Sequence, residues 1–139
     1  MNCLGCRLAN HIEPVYVIYE DEFVCCFLDH DPFNEGHVLI LPKQHGRFIE
    51  ELDENTALAL MKSAKIISKA INQLFKPDGM TICQNGGIFD ELTHFHMHVV
   101  PRYESQDFAL FYSDDEEGTV IGSTNLSETQ RRFLEILNG

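Results

Sequence analysis

Cations are scarce in this chain: 10 Lys and Arg stand against 22 Asp and Glu over 139 residues, for a formal net charge of -12. Docking on nucleic acid or on an anionic membrane needs a positively charged face, so both partners are excluded and any anionic ligand must be held by a local site. Long apolar runs are missing too, as is a basic-then-apolar leader, so neither a membrane span nor export is predicted and the expected location is the cytoplasm. The cysteines are few and odd in number (Cys3, Cys6, Cys25, Cys26 and Cys83), and the adjacent Cys25-Cys26 lies in an apolar run where thiols act as small hydrophobes. A disulfide framework is therefore not expected. With no internal repeat or low-complexity linker, the length suits one domain over residues 1–139.

What the chain does have is histidine in a pattern. In His94-Phe95-His96-Met97-His98-Val99-Val100 the imidazoles fall at every second position with apolar residues between them. That is the period of a β-strand, with one chemical face and one core face. Three buried polar rings are costly unless they have partners or a function. Neighbouring rings on such a face are separated by roughly 6.5 to 7 Å, so they can line a substrate or divide roles between a metal and a substrate. At the start of the chain, Cys3-Leu4-Gly5-Cys6 is a C-x-x-C turn with no room for a strand before it, which argues against thioredoxin-like redox use and for metal binding. Two cysteines make half of a tetrahedral zinc site, and the other two ligands must come from among the seven histidines.

Between these stretches, Val15–Tyr19 and Phe23–Leu28 read as a hairpin about Glu20-Asp21-Glu22, and Gly36–Pro42 as a central strand stopped by proline. A helix from about Glu54 to Leu74 is predicted behind N-cap candidates at 52–55, with an apolar stripe of Leu58, Met61, Ala64, Ile67, Ile71 and Leu74 facing a sheet. Lys76-Pro77-Asp78-Gly79 stops it. Met80–Gln84 forms a short strand leading to Asn85-Gly86-Gly87, whose glycines permit close backbone approach to a ligand. Ser113–Gly118 reads as a solvated acidic loop, and Ser127-Glu128-Thr129-Gln130 as a capping box opening a short helix with Phe133, Leu134 and Leu137 on its apolar edge.

A neutral imidazole on a fixed strand can attack phosphorus and split one hard displacement into two easier ones. His96, flanked by a histidine on each side, is the natural nucleophile. A neighbouring imidazole can donate to phosphoryl oxygens, His37 can orient it, glycine-flanked Asn85 can contact a phosphate, and Asp29 can accept from a ribose diol.

The stretch His94–Val100 resembles the signature of the histidine triad (HIT) superfamily, H-φ-H-φ-H-φ-φ. The similarity covers roughly residues 3 to 103, through the Asp29-to-His37 spacing, the Gly36-His37-φ4-Pro-Lys-x-His run ending at His45, and the Asn85 glycine loop, leaving 104–139 as an extension. Its short C-x-x-C is similar to the zinc-bearing branch related to nucleoside phosphoramidate hydrolases. The resemblance implies an α+β fold, a five-stranded antiparallel sheet with one long and one or two short helices, and a homodimer with a continuous ten-stranded sheet. It implies a nucleotide hydrolase or transferase with His96 as nucleophile and His98 and His37 as phosphate-contacting and orienting partners. Asp29 would contact the ribose, Asn85 the phosphate, and Phe27 the base. One structural zinc per chain is implied at Cys3, Cys6, His45 and His94.

Two departures shape the expectations. Gly5 stands where zinc-bearing relatives commonly place an aromatic, which takes away one wall of the base pocket. Asp90 and Glu91 stand where other branches place Gln or a hydroxyl; carboxylates there disfavour a polyanion unless paired with Arg102 or Lys43, so small monophosphoryl substrates are expected ahead of long dinucleoside polyphosphates. Two further functions compete: a nucleotide-binding adaptor with little turnover, and a hydrolase using all three histidines of the triplet as zinc ligands, which the strand spacing makes awkward.

Overall fold

In the computed structural model, which describes residues 3–113 and 120–138, five strands form one antiparallel sheet: β1 (Val17–Glu20), β2 (Val24–Leu28), β3 (Val38–Pro42), β4 (Gly79–Cys83) and β5 (Met97–Arg102). Their order across the sheet is β1-β2-β3-β5-β4, so β3 and β5 are interior and β4 is an edge. Three α-helices accompany them among the described residues, α1 (Leu4–Ala9), α2 (Glu54–Phe75) and α3 (Leu126–Asn138). The fold is α+β, as expected.

The β1–β2 hairpin closes because Asp21 turns its carboxylate back onto the N–H groups of Phe23 and Val24, at 2.8 and 2.9 Å. Alternation then sorts the side chains. Val24, Cys26 and Leu28 of β2, Val38 and Ile40 of β3, and Val99 of β5 join Ala64, Ile67 and Ile71 of α2 in the main core. Cys25, Phe27, Leu39 and Leu41 point to the opposite face, where Leu8 and Ala9 of α1 cover part of it. His98 pairs with Leu39 across the sheet and shares that second face.

Helix α2 starts where Asp53 accepts from the Thr56 N–H at 2.8 Å and ends at Lys76, which takes a left-handed conformation at φ 46°. Its buried arc differs from the expected stripe in the first half. Thr56, Ala59, Leu60 and Ser63 face the sheet, while Leu58 and Met61 are 63% and 60% exposed. Small residues allow the backbone close to the sheet, and the Ser63 hydroxyl is satisfied by the Ala59 carbonyl at 2.7 Å, so the arc with fewer large side chains is the one that packs.

The histidine-rich stretch is only half strand. The ladder begins at Met97; ahead of it the Phe95 N–H donates to the Gly46 carbonyl at 2.7 Å, outside the sheet, while the Phe95 ring is 1% exposed in the main core. Gln106 and residues 121–132 return to the core through two adjacent buried residues. The Asn34 amide pairs with the Gln106 side chain and with the Pro101 carbonyl, and the Ile121 N–H donates to it; Glu35 accepts from Ser123 N–H, the Thr129 hydroxyl and Arg132. Asn125, one residue before α3, accepts from Glu128 N–H and the Ser127 hydroxyl, so it caps the helix in place of the expected Ser127 box. Most of the acidic run 113–118 lies outside the described residues.

Candidate active site

The three imidazoles of the triplet go to two different places. His94, fully buried, turns its ring toward the N-terminal cysteines: its Nδ1 is 3.4 Å from Cys3 Sγ and 3.5 Å from Cys6 Sγ. His45 Nδ1 is 3.3 Å from Cys6 Sγ. The carbonyl of Pro42, 2.8 Å from His94 Nε2, can only accept, so Nε2 carries the proton and the Nδ1 lone pair faces the sulfurs. All four ligand atoms lie within 4.8 Å of one another. A tetrahedral ion with Zn–S of about 2.3 Å and Zn–N of about 2.0 to 2.1 Å requires S···N separations of about 3.5 Å, so the cluster has the dimensions and the donor set of a zinc site. Burial, then the neighbouring Cys3, pushes the Cys6 thiol up to about 11, a penalty that a bound cation reverses.

Gly5 is explained here. A Cβ on it would fall 2.2 Å from the Cβ of His94, so the C-x-x-C turn lies directly against that ring. An aromatic at this position has no room while His94 points at the sulfurs.

His96 and His98 face a cavity of about 530 Å³ that Asp29, His37 and Asn85 also line. Backbone contacts fix the tautomers. His96 Nδ1 is 2.9 Å from the His94 carbonyl, so in the neutral ring Nδ1 holds the proton and Nε2 keeps its lone pair. The Phe33 N–H donates to His37 Nδ1 at 3.1 Å; His37 therefore carries its proton on Nε2 and donates it to His98 Nδ1 at 3.0 Å. His98 is left with Nε2–H as its donor. Burial holds both partners neutral, pushing His37 down to about 3 and His98 to about 4. Asp29 Oδ2 stands 3.5 Å from His37 Nε2 while its Oδ1 accepts from the Asp31 N–H, and burial raises its carboxyl.

Of the residues expected at the site, Phe27 is the one set apart: it is 3% exposed in the second apolar cluster and is not among the cavity's lining residues. The aromatic wall comes from Phe33, Phe89, Phe111 and Tyr112. Phe111 sets its ring against His37 and His98 with centroids 5.8 and 6.0 Å away. Sequence reasoning overlooked it because Phe108–Tyr112 has no periodicity; the cluster of aromatics was the available signal. Asp90 is also placed differently from expectation. It is buried beside Arg47, with Nε 3.8 Å from Oδ2, whereas Lys43 pairs with Glu20 and Arg102 binds Thr81 and the Phe108 carbonyl. Glu91 alone of the two carboxylates lines the cavity.

The HIT domain family model matches residues 11–105. This chain belongs to the HIT family. An uncharacterized HIT-like protein of Methanocaldococcus jannaschii is 36% identical over 104 residues, which are 73% of this chain and 80% of that one. The adenosine 5'-monophosphoramidase of Saccharomyces cerevisiae is 29% identical over 122 residues, covering 86% of this chain and 68% of its own. A zinc-bound histidine triad family protein from Mycobacterium smegmatis superposes with a TM-score of 0.79 at 28% identity, over 99% of this chain and 94% of that one. Among these relatives, one is thus an adenosine 5'-monophosphoramidase and one solved protein is zinc-bound.

Proposed function

We propose that this HIT protein is a nucleotide hydrolase or transferase that cleaves a nucleoside monophosphoryl amide, ester or anhydride through a nucleotidyl-His96 intermediate. The observation that carries this is the fixed pair of tautomers, which leaves a lone pair on His96 Nε2 and an N–H donor on His98 Nε2 at one cavity. Attack by His96 Nε2 forms a P–N bond as the leaving group departs with its electron pair; His98 donates to a phosphoryl oxygen where charge accumulates. Water then attacks phosphorus, the P–N electrons return to Nε2, and the water's proton leaves to solvent. Asp29 contacts the ribose and Asn85 the phosphate.

Cys3, Cys6, His45 and His94 hold one structural zinc, whose chemistry is to join the N-terminal turn to the sheet. Two copies pair in solution. This is supported by the unpaired edge of β4, where Ile82 is 51% exposed, and by Leu58 and Met61, large apolar residues without cover in the single chain.

The deciding experiment incubates the protein with adenosine 5'-phosphoramidate and follows AMP release together with trapping of adenylyl-His96 by mass spectrometry after acid-free quench. Turnover with the adduct on His96 is expected. Binding of AMP without turnover would instead assign an adaptor.

A further inference from the structure

Asp90 is an unusual neighbour for a nucleophile. Its side chain is fully buried, and its Oδ1 stands 3.6 Å from His96 Nδ1, the nitrogen whose proton the His94 carbonyl accepts. The same Oδ1 accepts the N–H groups of Leu92 and Thr93 at 2.9 and 3.1 Å. Thr93 sits at φ +56°, a left-handed conformation that a β-branched residue avoids, directly before His94. Oδ2 has no hydrogen-bond partner among the described residues; it faces Arg47 Nε, close enough for charge to act and too far for a hydrogen bond. Arg47 in turn donates to the Gly87 carbonyl at 2.9 Å, so countercharge and carboxylate are both anchored.

We infer that Asp90 is a positioning residue for His96, holding the 91–93 turn that aims the ring and supplying a fixed negative charge on the side of the ring opposite the attacked phosphorus. The inference rests on the nucleotidyl-histidine reading. When Nε2 bonds to phosphorus while Nδ1 keeps its proton, the leaving group takes its electron pair and the imidazole ring becomes cationic. A carbonyl dipole alone stabilises that cation weakly; a desolvated carboxylate beside Nδ1 stabilises it more, and it does so most once the ring has bonded to phosphorus. The carboxylate therefore favours the transition state over bound substrate, as does the buried aspartate behind a catalytic histidine in acyl-transfer triads. Arg47 serves as the countercharge that keeps an otherwise isolated buried carboxylate tolerable.

Asp90→Asn separates charge from shape, because the amide oxygen still accepts from Leu92 and Thr93. The measurement is single-turnover adenylylation of His96 by adenosine 5'-phosphoramidate, set beside the Kd of 5'-AMP. Expected is a fall of about 100-fold in the adenylylation rate with the AMP Kd within about twofold of wild type. Asp90→Ser, which keeps a short acceptor without charge, should show the same division between rate and affinity and serves if the amide variant does not fold. An unchanged rate in a folded variant overturns the inference. So does a loss of AMP affinity equal to the loss of rate, which would mark Asp90 as loop support only. Failure of the wild-type protein to form the adduct overturns the functional reading and this inference with it.

Discussion

His94 and His98 stand four residues apart on one stretch, and their rings have opposite surroundings. His94 is sealed, its Nε2 tied to the Pro42 carbonyl and its Nδ1 aimed at two sulfurs. His98 opens on the cavity, and its Nδ1 is tied to a second histidine that a backbone N–H has already oriented. In each case a main-chain group chooses which nitrogen holds the proton, and that choice separates a metal ligand from a hydrogen-bond donor. Identical side chains thus diverge through the second partner of each ring.

The largest test of that division is on the open side. His96→Ala should reduce turnover by several orders of magnitude and abolish the covalent adduct, because the attacking lone pair is lost, while the fold loses only one ring and its hydrogen bond to the His94 carbonyl and should keep a cooperative melt. His98→Ala should cost about 100- to 1000-fold in kcat, the usual effect of removing a donor aimed at developing phosphoryl charge. If either variant kept near-wild-type turnover, the open end would not be the catalytic one.

The closed side should answer to stability. Elemental analysis is expected to find about one zinc per chain. Chelation, or Cys6→Ser, should lower the melting temperature by about 10 °C or more while kcat at saturating substrate changes less than that of His98→Ala. A metal-free protein that melts unchanged would remove the distinction between the two ends.

Acid should act on the open side through stability as well. His37 and His98 titrate at about 3 and about 4 when folded, below the ordinary value near 6.5 that the unfolded chain has. Between those values the unfolded chain binds more protons, so the stability held by these neutral rings is complete above about pH 6.5 and is lost as pH falls toward 4. Urea denaturation at pH 7.5, 6 and 5 should show this decline, and His37→Gln, which removes one of the two groups, should flatten it.

Much of this was legible from residues alone, and for stated reasons. The C-x-x-C and the triplet carry their chemistry in fixed spacing, and the strands show it in β-branched alternation; Asp53 and Lys76 bound α2 where the sequence placed its ends. What could not be read depended on contacts between distant segments. Nothing local tells that Arg47 and not Arg102 would meet Asp90, or that Ala59 and Ser63 would displace Leu58 and Met61 from the sheet face. Phe27 alternates correctly but is buried in a cluster with Ala9, Cys25 and Leu41 that Leu8 and Leu92 pack against, residues that only the folded chain brings there.

The smallest effect concerns charge at the cavity. Because Asp90 is turned inward and Glu91 outward, the preference for a phosphoramidate over diadenosine tetraphosphate should rest on Glu91. Glu91→Gln should narrow the ratio of kcat/KM values by about two- to fivefold at low salt and less at high salt. An equal ratio at both salt concentrations in wild type and variant would show that this carboxylate does not meet the substrate.

The anchoring of residues 121–132 on Asn34 and Glu35 has a consequence for the order of events on the ribosome. Glu35 lies two positions before His37, and its partners Thr129 and Arg132 are synthesised almost a hundred residues later. At roughly 5 to 20 residues per second, the interval between completing β5 at Arg102 and reaching Arg132 is about 1.5 to 6 seconds. Throughout it, a carboxylate destined for burial must stay hydrated next to the loop that orients His37. The nascent sheet can pair its strands in that time, yet the loop that orients His37 acquires its final backing only when α3 arrives, so the reactive centre cannot be complete before α3 is made.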